Sequence, residues 1–378
     1  MSVVKAPMKV PLLDLGAQYL GIRDELMAEV NAVIESQKFI LGPPVASLES
    51  AIARMCGVQH GIACASGTDA LLLSLKLLDL KDGDEIITTP LTFFATAGAI
   101  CNAGGVPVFV DIDQETFLID SAAVEAAVGP RSRAIVPVHL YGQMARMEDM
   151  LRIAVASHLS VIEDAAQAIG ARRRIDGEWC ASGALGTTGS FSFFPSKNLG
   201  GWGDGGMIVT EDGSLAERLR LLRTHGGAKQ YHHEEIGTNS RLDTIQAAVL
   251  SVKLKHLAGW NTARRRNAAL YDEMLADVDG IQVPITDPPN EHTFHLYTVR
   301  ADRRDDLISQ LNNSGVGCAA YYPKPLHLQP CFEEFGYVRG QLPEAERACT
   351  EVLSLPVYPE LSEDQINFVA DTVKGFYR

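Results

Sequence analysis

Apolar residues recur first at helical spacing. Ile22, Leu26, Val30, Val33 and Ile34 fall on one side of a helix that must end before the turn Gly42-Pro43-Pro44. Beyond that turn, short apolar runs predict strands at 61–64, 85–89, 106–111, 134–138, 161–164, 189–192 and 207–210. Helical patterns lie between most of them, at 69–78, 94–102 and 145–158 for example. Strand-helix alternation predicts an α/β protein: a mostly parallel seven-stranded sheet flanked by helices. Ligands of such sheets sit at the carboxyl ends of the strands, so the residues just after each strand carry the functional question.

The pattern changes near Leu242. From there to about Leu275 the chain predicts one long helix, with Ile245, Val249, Val252 and Leu257 on one face. Later elements are sparser. Leu307 and Leu311 mark one helix, and Ser362-Glu363-Asp364-Gln365 is a capping box that opens the last. Ile366, Val369, Val373 and Phe376 form its buried stripe. The division falls inside the long helix, giving a major domain over 1–252 and a smaller C-terminal α+β domain over 253–378.

Charge narrows the partners. The chain has 33 Lys+Arg against 47 Asp+Glu, a net charge of −14, which opposes binding to nucleic acid or an anionic membrane. The runs Arg172-Arg173-Arg174 and Arg264-Arg265-Arg266 then read as solvated faces. No apolar stretch approaches the roughly 18 residues of a membrane span. Residues 1–9 hold two lysines with no apolar region behind them, unlike a secretory signal. Seven cysteines without a close pair predict reduced thiols and a cytoplasmic location.

Three features at strand ends carry chemistry. Ala65-Ser66-Gly67-Thr68-Asp69 is a small-residue turn opening a helix, whose free N–H groups suit a phosphate; alone it reads equally as an N-cap. Asp164, in Ile162-Glu163-Asp164-Ala165-Ala166-Gln167, closes a buried strand, where a carboxylate needs a partner. Lys197 follows the aromatic run Ser190-Phe191-Ser192-Phe193-Phe194-Pro195-Ser196, and desolvation there lowers an amine's pKa. A phosphate cradle, a buried acid and a reactive amine are together what pyridoxal 5'-phosphate requires.

The motifs Ser66-Gly67-Thr68, Glu163-Asp164-Ala165-Ala166-Gln167, Phe194-Pro195-Ser196-Lys197-Asn198-Leu199-Gly200 and Asn239-Ser240-Arg241-Leu242-Asp243 resemble, in order, those of the DegT/DnrJ/EryC1/StrS sugar aminotransferases. The likeness runs from about Leu12 to the C terminus. It implies a fold-type I pyridoxal-phosphate-dependent transferase, with pyridoxamine phosphate as its second cofactor form. It implies Lys197 as the Schiff-base lysine and proton shuttle, and Asp164 as partner of the ring nitrogen. Gln167 would face the ring hydroxyl, Phe93 would stack on the ring, and Gly67, Thr68 and Ser192 would bind the phosphate. Asn239 would reach that phosphate from a neighbouring subunit, making a homodimer with shared sites. L-glutamate is the implied amino donor and a nucleotide-linked keto-sugar the acceptor.

Gly201, Gly203 and Gly206 match a dinucleotide fingerprint in spacing, but they precede a strand instead of following one, so they read as a flexible loop. His232-His233-Glu234-Glu235 lacks a third spaced ligand and reads as a surface loop, so no metal is expected. Tyr321-Tyr322-Pro323-Lys324-Pro325-Leu326-His327 resembles the family's substrate segment, with Tyr where many members have His at position 321. Tyr322 and His327 are the expected sugar contacts, and Arg241 the group for a substrate anion or an interface ion pair. Segment likeness favours 3-keto-sugars: UDP-2-acetamido-3-keto-hexuronic acid first, dTDP-3-keto-6-deoxyhexoses close behind. The alternatives are a 4-keto-sugar aminotransferase and, further off, a sugar dehydratase or a non-catalytic sensor. The family's dehydratases replace the lysine by His, so Lys197 speaks against that reading.

Overall fold

A computed structural model describes residues 8–229 and 231–378. The stretch read above as no secretory signal lies largely outside them. The first helix, α1 (Leu15–Ser36), buries Ile22, Leu26, Val30 and Val33, while Ile34 turns to solvent. Asp14 caps it by accepting from the Ala17 N–H at 2.9 Å. The turn at Gly42 then opens a second helix, α2 (Pro43–Cys56), which the pattern did not predict. Its prolines at the first helical positions are compatible with a helix start.

All seven expected strands form. They are β1 (His60–Cys64), β2 (Glu85–Thr88), β3 (Val106–Phe109), β4 (Ser132–Val136), β5 (Ser160–Asp164), β8 (Thr188–Ser192) and β9 (Gly206–Thr210), in the spatial order β1-β9-β8-β5-β4-β2-β3. Every neighbouring pair is parallel except those of β9, which runs antiparallel to β1 and β8. The reason lies in the connections. Crossovers between parallel strands need a helix-length segment, as supplied by α3 (Gly67–Lys76), α4 (Ala95–Asn102), α5 (Ser121–Ala127) and α6 (Met147–Ser157). The loop 193–205 contains none, so β9 folds back on β8. That loop is pinned: Gln246 Oε1 accepts from the Trp202 N–H at 2.8 Å, and Lys253 Nζ donates to the Gly200 carbonyl at 2.7 Å. The flexible loop expected there is therefore held at two points by side chains of one later helix.

The hairpin β6 (Arg172–Ile175) and β7 (Glu178–Ala181) was not expected. Strand alternation sends Arg173 inward between its two neighbours, where it pairs with Glu148 and Asp287. The solvated-face reading of this basic run is thus corrected at its middle member.

After α7 (Gly213–Leu222), the long helix α8 (Thr244–Leu275) crosses between two cores. Ala247, Leu250 and Leu257 pack with Leu48, Phe191 and Phe193 near the sheet. Ala268, Tyr271 and Leu275 join the C-terminal core with Tyr297, Leu307 and Val369. That second core is built on the antiparallel strands β10 (Ile281–Gln282), β12 (Tyr297–Ala301) and β13 (Val352–Leu355), while β11 (Asn290–Glu291) extends the β6–β7 hairpin. Helices α9 (Arg304–Asn313), α10 (Pro343–Glu351) and α11 (Glu363–Tyr377) complete it, and both capping-box bonds of Ser362 and Gln365 are made. Among the described residues no helix is long and apolar enough to cross a membrane.

Candidate active site

A cavity of about 500 Å³ opens where the parallel strands end. Asp164 closes β5, Ser192 closes β8, the Ser66 turn follows β1, and Thr92, Phe93 and Thr96 follow β2; all line it together with Lys197.

Neighbouring residues of a strand point to opposite faces, and the pair Glu163-Asp164 uses both. Glu163 turns under the sheet. Its oxygens accept from His139 Nε2 at 2.8 Å and from the N–H groups of Gly183, Leu185 and Gly186 at 2.8, 2.7 and 2.6 Å. Asp164 turns to the cavity. Thr96 Oγ1 donates to its Oδ2 at 2.7 Å and the Ala166 N–H to its Oδ1 at 3.2 Å. Burial pushes its pKa up, against these bonds and the charge of Lys197. Lys197 is shifted the other way: desolvation lowers its ammonium from 10.5 to about 8, although Asp164 works against that.

The wall fits the phosphorylated aromatic cofactor. At the start of α3 the N–H groups of Gly67 and Thr68 have no acceptor within the helix. A Cβ on Gly67 would lie 2.6 Å from that of Ser192, so glycine leaves the space that an anion needs there. Gln167 accepts from the Tyr141 N–H at 2.7 Å and donates to the Tyr322 hydroxyl at 3.1 Å, which orients its amide. Phe93 is half-exposed at the mouth, its ring 6.2 Å from that of Tyr322.

Gly67, Thr68, Phe93, Asp164, Gln167, Ser192, Lys197 and Tyr322 therefore share one wall. Three expected residues do not. Asn239 is exposed beside the chain's own site, and Arg241 is half-buried off the wall with its Nε lacking a partner among the described residues. His327 is corrected more firmly. The short turn Leu326–Leu328 carries its ring into the protein, where Nε2 lies 3.2 Å from Glu346 and the ring packs between Phe109 and Tyr337. A buried imidazole committed to a carboxylate is not placed for sugar contact.

Sequence reasoning missed Thr96, His295 and Arg264. Thr92, just before α4, and Thr96, in its first turn, have hydroxyls 3.0 Å apart, and their spacing was the available signal. Arg264 was read as solvated. It is buried on the cavity wall, donates from Nη1 to the carbonyls of Phe294 and His295 at 3.1 and 3.3 Å, and burial lowers its pKa to about 10. The pair His232 and His233 lies on an exposed loop, with His233 Nδ1 3.0 Å from the His225 carbonyl.

A strand-end acid, a desolvated lysine and a helix N-terminus opened by glycine define a pyridoxal-phosphate-dependent aminotransferase on a fold-type I scaffold. The chain belongs to the DegT/DnrJ/EryC1/StrS aminotransferase family, whose model matches residues 21–374. It is 51% identical over 373 residues to a pleiotropic regulatory protein of Geobacillus stearothermophilus, covering 98% of this chain and 99% of that one. Identity is 44% over 365 residues to a UDP-N-acetyl-3-dehydro-alpha-D-glucosamine 3-aminotransferase of Acidithiobacillus ferrooxidans, with 97% of each covered. It is 41% over 360 residues to a UDP-2-acetamido-2-deoxy-3-oxo-D-glucuronate aminotransferase of Pseudomonas aeruginosa, covering 95% and 98%. Other relatives are named transaminases of dTDP-3-amino sugars. The crystal structure of DesV from S. venezuelae superposes with a TM-score of 0.95 at 42% identity, covering 98% of this chain and 99% of that one.

Proposed function

We propose that this aminotransferase moves the amino group of L-glutamate to C3 of a nucleotide-linked 3-keto-sugar, giving an amino-sugar nucleotide and 2-oxoglutarate. The observation that carries the reading is the pairing of Lys197 and Asp164 on one wall with opposite pKa shifts. When bound, the cofactor supplies an electron sink for the carbanion at the reacting carbon. The chain's own groups do the rest. Asp164, fixed by Thr96 and Ala166, holds the ring nitrogen protonated. The Lys197 amine takes a proton at Nζ and returns it. Gly67, Thr68 and Ser192 receive the phosphate, Gln167 the ring hydroxyl, and Phe93 a ring face. Tyr322 is the wall residue offered to the sugar.

The UDP-linked 2-acetamido-3-keto-hexuronic acid is our first choice of acceptor. The names of the Acidithiobacillus and Pseudomonas relatives both support a UDP-linked 2-acetamido-3-keto-sugar, and the Pseudomonas name alone supports the hexuronic acid. dTDP-3-keto-6-deoxyhexoses come second. We set the division of cofactor and cap domains inside α8, beyond residue 252: Leu257 still packs with the sheet core, and Ala268 is the first helix residue buried in the C-terminal one. The seven free thiols favour the cytoplasm. Incubation with UDP-, dTDP- and GDP-linked 3- and 4-keto-sugars plus L-glutamate, with products identified by NMR, tests the assignment. A 4-amino product, or none, overturns it. The name of the Geobacillus relative keeps a regulatory reading in view. A bound cofactor that never changes its spectrum across a panel of amino donors would support it.

Asn239 is assigned to the site of a second copy, as the family likeness implies and as its place off its own chain's cavity wall allows. Arg241, also off that wall, keeps its two readings, a substrate anion or an interface ion pair. The homodimer that follows has a sharp expectation. Lys197→Ala and Asn239→Ala chains, each inactive alone, regain about a quarter of wild-type activity when refolded together, since half the dimers are mixed and each holds one intact site. No recovery, with mixed dimers verified by mass spectrometry, sinks the shared site.

A further inference from the structure

Asn198, the residue after Lys197, organises a buried chain of amides. Its Nδ2 donates to the Thr293 carbonyl at 3.1 Å and to Asn261 Oδ1 at 2.9 Å. Asn261 Nδ2 donates onward to the Ile169 carbonyl at 3.1 Å. Backbone carbonyls can only accept, so both amides have one allowed orientation. Asn198 Oδ1 is then the atom that faces His295 Nδ1, at 3.2 Å. An amide oxygen has no hydrogen to give, and Nδ1 must carry it.

A neutral imidazole protonated at Nδ1 keeps its lone pair on Nε2. Neutrality is secured by surroundings. Burial drives the His295 pKa well below its ordinary value, and the charges of Lys197, Arg264 and His292 act the same way. Nε2 makes no hydrogen bond among the described residues, to Lys197 included, and the ring forms part of the cavity wall with that lysine.

We propose that His295 is a further catalytic residue, whose Nε2 lone pair accepts a hydrogen bond from the Lys197 ammonium while that lysine holds the proton it moves. The proton remains on Nζ throughout; the imidazole orients and stabilises the charged amine without titrating. An imidazolium here would repel the ammonium, and the opposite tautomer would aim an N–H at it. Asn198 excludes the opposite tautomer, which is why the residue adjoining the lysine has its amide locked by two backbone carbonyls. The role of the bond rests on Lys197 being the proton carrier, whereas the tautomer does not.

The test uses cofactor-free protein labelled with ¹⁵N in its histidine rings. Long-range ¹H–¹⁵N correlation at pH 7 is expected to show His295, assigned by its loss in His295→Phe, protonated at Nδ1 and bare at Nε2. Protonation at Nε2, or at both nitrogens, overturns the proposal. In protein labelled at lysine Cε, the Lys197 midpoint near 8 is expected to fall by about one unit in His295→Phe, a tenfold gain in acidity. His295→Gln, whose amide oxygen can accept, should restore part of it and serves as the assignment variant if the phenylalanine does not fold. A midpoint that stays put in both variants also overturns the proposal. Both readings are independent of transamination, so an inactive protein with this tautomer and shift would fail the proposed function and leave His295 standing.

Discussion

Lys197→Ala is expected to lose the visible band given by cofactor attached to that lysine and to lose turnover by about 10⁴-fold or more. The magnitude comes from two tasks carried by one amine. As a nucleophile it must be neutral, and at pH 8 about half of Lys197 is neutral. An ordinary lysine with a pKa of 10.5 is neutral in only roughly one molecule in three hundred at that pH. Burial therefore supplies a gain of about a hundredfold before any chemistry begins. As a base the same amine must pick up a proton from carbon and hold it, which depends on a fixed position above the reacting atom. Lys197→Arg keeps a cation and loses both tasks, so it should be as inactive as alanine. Small primary amines added to Lys197→Ala should restore a small part of the proton transfer. Stopped-flow absorbance with L-glutamate measures all three proteins. Turnover of Lys197→Ala within tenfold of wild type would remove the lysine from the mechanism.

The legible part of this molecule was what repeats locally. Seven apolar runs separated by helical patterns sufficed for the sheet, because a parallel strand buried on both faces has few polar positions to disguise it. The direction of β9 depended instead on what the loop 193–205 lacks, namely a crossover helix. Arg173 and Arg264 were misread for one reason: a basic run looks solvated until a strand or helix period selects one member and turns it inward. Thr96 showed only its spacing from Thr92 and His295 showed nothing, because their partners, Asp164 and Asn198, lie 68 and 97 residues away. His327 failed in the opposite way. Likeness of the segment 321–327 to the family's substrate segment suggested one role for Tyr322 and His327, and a single turn at Leu326–Leu328 separated them. Function was legible earlier than geometry because the reaction needs particular atoms at strand ends, and strand ends were the most readable positions.

Asp164→Asn is expected to move activity and stability in opposite directions, which separates a functional acid from a structural one. Asparagine keeps the shape and can still accept from the Thr96 hydroxyl, so the wall geometry survives. What disappears is the charge facing the ring nitrogen. Removing one partner of a buried charge pair costs roughly 3–5 kcal/mol, which is roughly two to four orders of magnitude in turnover. In the cofactor-free protein the sign reverses. Burial raises the Asp164 pKa, so above that value the folded state carries a carboxylate less welcome than in the unfolded chain. Its contribution to stability is greatest at low pH and is lost as pH rises through the raised pKa. Asparagine has no proton to lose, and at pH 7 the cofactor-free variant should melt at or above the wild-type temperature. Adding cofactor should then raise the melting temperature of wild type far more than that of the variant. Differential scanning fluorimetry on both forms, beside kcat for glutamate, reads the two signs together. If cofactor stabilises Asp164→Asn as strongly as wild type, the carboxylate serves the fold and the ring nitrogen has another partner.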